Sequence, residues 1–345
     1  MVKSFFASCN SYSGFKSYFA EIFNSNEFDK VFVLKGGPGT GKSTLMKKTA
    51  KYFEGLNADI EKFYCSSDIN SLDGVIIEKN HKKVAILDGT APHERDAVIV
   101  GAIDEIINLG ESLDYSWLEK YRQSILELAD QKSAAYGTAY SYLRCAGACE
   151  KEICRNIKKQ FNVSTAQKYM RDLELTPEYY NISKNKTRLI SSFSKDGYQR
   201  VLPVPSYESK QVKLGGNVYG AREFLSFLTS RYDGNCVIFP YPLNINYNEA
   251  IYYPKEDTLI IVDDNASDIN ADVFLSDSSI ENEKIRVIEQ THNELLTEAK
   301  RWFNIASDIH FRLEDIYSRC MNFEINDKIF DKICEKIAKV CDIEK

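Results

Sequence analysis

Val31-Phe-Val-Leu-Lys-Gly-Gly-Pro-Gly-Thr-Gly-Lys-Ser-Thr44 decides how this chain is read. Four apolar residues run into a glycine-rich turn, and Gly36, Gly41, Lys42 and Ser43 match the spacing G-x-x-x-x-G-K-[ST]. Leu45, Met46, Ala50 and Phe53 follow at helical spacing, which completes a strand–loop–helix unit.

The residue types have a physical logic. Glycines let backbone N–H groups close around an anion without Cβ atoms in the way. A helix starting near Lys42 aims its free N–H groups and positive dipole end at the same anion. Gly36, Gly37, Pro38, Gly39, Thr40, Gly41, Lys42, Ser43 and Thr44 are therefore expected to bind a nucleotide. Lys42 would face the β- and γ-phosphates, Thr44 the α-phosphate, and the Ser43 hydroxyl would hold Mg2+. The bland alternative is a glycine turn that only caps a strand.

Downstream, Ile60–Cys65 reads as a second strand and Val75–Ile77 as a short third. Val84-Ala-Ile-Leu87 is an apolar strand ending in Asp88. A carboxylate there is the expected second Mg2+ anchor beside Ser43, although strand ends often carry a turn-forming Asp. Lys42, Asp88 and Asp68 are the expected catalytic set, with Asp68, then Asp73, then His93 as the group orienting water. No Glu follows Asp88, which counts against fast hydrolysis.

Leu34–Lys48, Cys-Ser-Ser-Asp (65–68), Ser-Leu-Asp-Gly-Val (71–75) and Leu-Asp-Gly-Thr-Ala-Pro-His (87–93) together resemble one family. It is a poorly characterised group of bacterial, largely clostridial and bacillar, P-loop ATPase-like proteins. Asn10, Gly14, Phe15 and the run Gly101–Gly110 fit the same pattern, so the resemblance spans residues 4 to about 150. It implies a tandem protein, often with a second P-loop in the C-terminal half, and ATP as the nucleotide. The loop by itself fits adenine and guanine alike, and no guanine-reading N-K-x-D string stands where one is expected.

The chain has 345 residues, 43% of them apolar and 27% charged, too long for one ordinary core. A net charge of −6 argues against a broad nucleic-acid-binding face. No apolar run approaches the roughly 20 residues of a membrane span. The nine cysteines form no C-x-x-C pair, and Cys145, Cys149 and Cys154 have no His nearby to complete a zinc set. A cytoplasmic location is the simple expectation.

Early on, residues 5–15 read as a strand and turn, followed by an amphipathic helix carrying Phe15, Tyr18, Phe19, Ile22 and Phe23. Residues 94 to about 175 look mostly helical, Asp104–Leu109 included, with Arg95, Arg122 and Arg144 as candidates to stabilise a transferred phosphoryl group. After a linker, Lys213–Leu225 lines up as a faded copy of the glycine loop. Gly215, Gly216 and Gly220 fall on Gly36, Gly37 and Gly41, and Ala221 and Arg222 on Lys42 and Ser43. Val237–Pro240 falls on the second strand, and Leu259–Asp263 on Val84–Asp88. Arg222 is then a candidate to reach the first half's nucleotide. Ile280 to about Val340 reads as two amphipathic helices meeting near Phe323–Asp327.

The expected fold is α/β: a P-loop NTPase-type sheet with a helical insertion, then a degenerate P-loop-like repeat. Residues 1–95 form the nucleotide-binding core and 96–175 its helical layer. Residues 176–188 are a linker and 189–345 the second repeat with its closing helices. Three functions follow: an ATPase coupling hydrolysis to conformational change, a small-molecule or nucleotide kinase, or a nucleotide-regulated binding module.

Overall fold

A computed structural model describes residues 2–91, 95–175, 186–201, 210–231, 236–263, 265, 267–276 and 279–343. In chain order the first half holds β1 (Val2–Phe6), β2 (Ser8–Ser11), β3 (Gly14–Ser17), α1 (Phe19–Ile22), β4 (Lys30–Lys35), α2 (Lys42–Gly55), β5 (Asp59–Tyr64), β6 (Leu72–Lys79), β7 (Lys82–Asp88) and β8 (Asp104–Asn108). Three helices follow: α3 (Tyr115–Lys120), α4 (Arg122–Gln160) and α5 (Val163–Asp172). The second half holds β9 (Lys186–Thr187), β10 (Ser191–Ser194), β11 (Gly197–Arg200), β12 (Lys210–Gly215), α6 (Val218–Thr229), β13 (Val237–Pro240), β14 (Asn248–Tyr253), β15 (Thr258–Val262) and β16 (Ile269–Asn270). Two helices close the chain, α7 (Ser279–Ser318) and α8 (Phe323–Val340).

The two halves repeat one topology. Sheet one runs β1-β5-β6-β7-β4-β8 and sheet two β9-β13-β14-β15-β12-β16. In each sheet the third strand is antiparallel to both neighbours and every other pair is parallel. Each half also carries one antiparallel hairpin, β2–β3 and β10–β11.

Strand alternation sorts the side chains into layers. Val31 and Val33 of β4 face a central core that Leu259 and Ile261 of β15 enter from the other sheet. Phe32 and Leu34 face outward onto α2, and Ile260 and Val262 outward onto α6. The two sheets thus share an inner core and each carries helices on its outer face.

The closing helices are exchanged. α5, expected as part of the first half's own helical layer, buries Ala166 against sheet two with Phe224 and Phe274. α8 buries Ile333 and Ile337 against sheet one with Phe53 and Leu45. Backbone hydrogen bonds fix both crossings: Asp114 N–H to Cys320 O (3.0 Å) and Asn322 N–H to Ser112 O (2.8 Å) on one side, Asn162 N–H to Phe274 O (2.7 Å) and Ser276 N–H to Gln160 O (2.9 Å) on the other. α4 and α7 carry the exchange as an antiparallel pair about 58 Å long at 1.5 Å per residue. Leu128 meets Leu313 at one end, and Ile153 and Ile157 meet Ile285 at the other.

Two local expectations change. Asp104–Asn108 is not helical but an edge strand parallel to β4, because the open edge of β4 leaves N–H and C=O groups to be paired. Gly14–Ser17 is the second arm of a hairpin, so the early helix shrinks to Phe19–Ile22. Most of the expected linker, residues 176–185, lies outside the described residues.

Candidate functional site

Residues 36–41 join the end of β4 to α2 at the carboxyl edge of sheet one. Gly39 (φ +71°) and Gly41 (φ +82°) hold left-handed backbone that a side chain would strain. Gly41 is the N-cap of α2, so the first free N–H groups of that helix open onto the loop.

Lys42, the first residue of α2, folds back over the loop. Its Nζ donates to the carbonyls of Gly36 and Gly37, both at 2.8 Å. The same Nζ stands 3.7 Å from Asp88 Oδ2, at the end of the neighbouring β7, and both side chains are largely enclosed. Asp88 Oδ1 accepts from the Thr90 N–H (2.8 Å) and hydroxyl (2.5 Å). Ser43 Oγ accepts from the Leu72 N–H at 2.9 Å, and the Thr40 hydroxyl donates to Gly37 O at 2.8 Å. Lys42 and its neighbour Ser43 are thereby gathered with Asp88, which is distant in sequence, at one edge of the sheet.

The expected water-orienting groups separate. Asp68 caps its own turn, accepting the Asn70 N–H at 3.0 Å. Asp73 is buried on β6; Gly74 pairs with Leu87, so Asp73 and Asp88 are the next residues out along the two strands. His93 lies outside the described residues.

The three arginines are not brought to the loop. Arg95 is buried, donating to Phe23 O (3.1 Å) and Ser25 Oγ (2.6 Å) beside Asp104 at 3.5 Å. Arg144 bonds to Ser141 on its own helix, and Arg122 is an exposed residue at the start of α4.

The second half does not present the same loop. Only residues 216 and 217 join β12 to α6, so Gly220, Ala221 and Arg222 are the third to fifth residues of α6, whereas Gly41, Lys42 and Ser43, on which an ungapped alignment sets them, are the N-cap and first two residues of α2. Asn217 caps α6 by accepting the N–H groups of Tyr219 (3.1 Å) and Gly220 (3.0 Å). Register shifts the later strand as well: Gly89 N–H bonds Leu34 O, and Asp263 N–H bonds Leu214 O. Asp263 therefore answers to Gly89, not to Asp88. Arg222 is turned inward, 3.7 Å from Glu150 and stacked over the Tyr241 ring at 3.5 Å from its centroid.

What the sequence reading missed is the wall opposite the loop, which the second half supplies. A Cβ at Gly39 would lie 2.6 Å from the Glu314 carbonyl oxygen, and one at Gly37 would lie 2.8 Å from the Tyr317 ring. Asn326, on the first turns of α8, donates to Thr40 O at 3.0 Å and accepts from the Ser112 hydroxyl at 2.7 Å. The Glu314 carboxylate is held below its ordinary value by His310 at 3.4 Å, then by the Lys42 charge and the Gly39 N–H, against partial burial. Nothing in the amphipathic pattern of residues 280–340 singles out these side chains. Asn322 signals a helix start, and no more.

The arrangement suits an anion with a hard cation. Loop N–H groups, the α2 dipole and Lys42 favour negative charge, while the Ser43 hydroxyl and Asp88 carboxylate are oxygen donors of the kind Mg2+ takes. Among the described residues no cluster of three or more His, Cys, Asp or Glu forms a metal site, and no helix is long and apolar enough to cross a membrane. Comparison with family models, with curated proteins and with solved structures returns no match.

Proposed function

We propose that this protein is a P-loop nucleotide-binding protein that takes a nucleoside triphosphate with Mg2+ at residues 36–44, ATP by its resemblance, and hydrolyses it to drive a conformational change. One observation carries the reading: Lys42, Ser43 and Asp88 converge at the carboxyl edge of one sheet, with Lys42 Nζ 3.7 Å from Asp88.

In this reading Lys42 leaves the Gly36 and Gly37 carbonyls and turns its charge to the β- and γ-phosphates. The N–H groups of Gly39 to Lys42 wrap the phosphate chain. Ser43 and Asp88 would hold Mg2+, which supplies charge neutralisation when bound. Asp73, next along the sheet edge from Asp88, is better placed to orient water than Asp68, whose carboxylate is committed to its own turn. The short loop at 216–217 has no counterpart of Lys42, so the second repeat is assigned no nucleotide.

A second reading, a nucleotide-dependent switch with little turnover, draws on the contact of α7 and α8 with the glycine loop. Ligand that rearranges the loop would then be felt by both helices. Calorimetric titration with Mg-ATP, on wild type and Lys42→Ala, with phosphate release followed on the same samples, tests both. Wild type is expected to bind and Lys42→Ala to bind roughly tenfold or more weakly, since a charged hydrogen bond is worth about 1.5–3 kcal/mol. Binding with release supports the ATPase; binding without release supports the switch. No binding by wild type would sink the nucleotide reading.

A further inference from the structure

The phosphate-binding elements have a direction. Asp88 and Gly39 mark one end, where the terminal phosphate would lie, and Thr44, on the first turn of α2, marks the other. A nucleotide laid along that line must put its sugar and base beyond Thr44. From Gly41 and Thr44 a cavity of about 250 Å³ runs along α2 to Lys48, between the first turns of α2 and of α8. Its volume suits a heterocyclic base, with the phosphate chain lying outside it along the loop.

The lining matches a base in chemistry as well as in size. Leu45, Phe323 and Phe330 make its apolar walls, and Lys48 and Asp327 its polar rim. Asp327 pairs with Lys48 at 2.9 Å across the cavity mouth. Phe323 carries independent weight. It is the first residue of α8, a helix that buries Ile333 and Ile337 in the core, yet 52% of its surface stays exposed. A large ring left in solvent beside a cavity is an offer of stacking area.

We infer that Phe323 is the platform for the purine base of the nucleotide, so the second half of the chain completes the first half's binding site. This rests on the nucleotide reading proposed above. The base stacks on the Phe323 ring, Leu45 and Phe330 close around it, and the Asp327 carboxylate accepts a hydrogen bond from the exocyclic amino group. The exchange of α8 between the repeats then has a functional consequence, because the helix that recognises the base is anchored through the second repeat.

The test compares binding of Mg-ATP, Mg-CTP and Mg-tripolyphosphate to the full-length protein by calorimetry, for wild type, Phe323→Ala, Phe323→Trp and Lys42→Ala. Wild type should bind ATP more tightly than tripolyphosphate, with CTP between them. Phe323→Ala should lose about tenfold in ATP affinity with tripolyphosphate affinity unchanged. Phe323→Trp should keep the ATP preference, and Lys42→Ala should weaken every ligand. Equal ATP and tripolyphosphate affinities in wild type, or a Phe323→Ala change that is absent or equal for both, would overturn the base platform and leave phosphate binding standing. CTP bound as tightly as ATP would overturn the purine assignment. If wild type binds neither ATP nor tripolyphosphate, the underlying nucleotide reading falls and the base platform with it.

Discussion

Ile337→Ala tests the exchange of closing helices directly. Ile337 sits in the second half of the sequence but is fully buried in the outer core of sheet one, with Phe53, Leu45 and Ile86. Truncation removes three carbons, worth about 2.4 kcal/mol at ~0.8 kcal/mol each. The cavity left behind raises the expected loss to about 3–4 kcal/mol, within the usual range for Ile→Ala in a core. Urea unfolding would read the total. Hydrogen–deuterium exchange would read its location: protection should fall in residues 30–35, 42–55 and 82–88, all in the first half. A loss under about 1 kcal/mol, far below the core range, would refute the packing. So would new exchange confined to 210–215 and 258–262, because α8 would then be covering sheet two.

Gly39→Ala places a methyl 2.6 Å from the Glu314 carbonyl oxygen in left-handed backbone at φ +71°. It should cost at least about 1–2 kcal/mol from the backbone alone, and a thermal melt indistinguishable from wild type would count against it. Glu314→Gln removes a negative charge that the Gly39 N–H and Lys42 now face. Affinity for Mg-tripolyphosphate should rise about two- to fivefold, the scale of a partly exposed charge interaction; weaker binding would show that Glu314 helps the ligand rather than competing with it. Asp104 is fully buried. Burial would raise its carboxyl, but the N–H groups of Ile99 and Val98, the Ser25 hydroxyl and Arg95 outweigh that and hold it below the ordinary carboxylate value. Its contribution is therefore present above about pH 4, the unfolded carboxylate range, and is lost as pH falls through the depressed folded value. Asp104→Asn, which strands the buried Arg95, should cost about 3 kcal/mol near neutral pH. The gap from wild type should close in acid, and a gap constant down to pH 2 would refute the assignment.

Local chemistry was legible in the one-dimensional string. A helix over Lys42–Phe53 ending near Gly55, Val84–Leu87 as a buried strand ending in Asp88, and the break between two closing helices near Phe323 all follow from period, glycine and cap residues. Each depends on neighbours a few positions away. The same local reasoning failed at Asp104–Asn108, where the run fits a helix in isolation and the free edge of β4 makes it a strand. It failed again at Gly220–Arg222, because an ungapped alignment cannot see that the loop before α6 is cut to residues 216 and 217.

What only the tertiary structure decided is which half covers which sheet, and hence what faces the glycine loop. A helix such as α8 shows one apolar face in its sequence, and sheets one and two both offer apolar outer faces built from the same strand order. Burial free energy is non-directional and does not say which of two similar surfaces receives the helix. The length and antiparallel packing of α4 and α7, and the four backbone hydrogen bonds at their ends, make that choice. They carry Glu314, Phe323 and Asn326 across to a loop nearly 300 residues away in the chain.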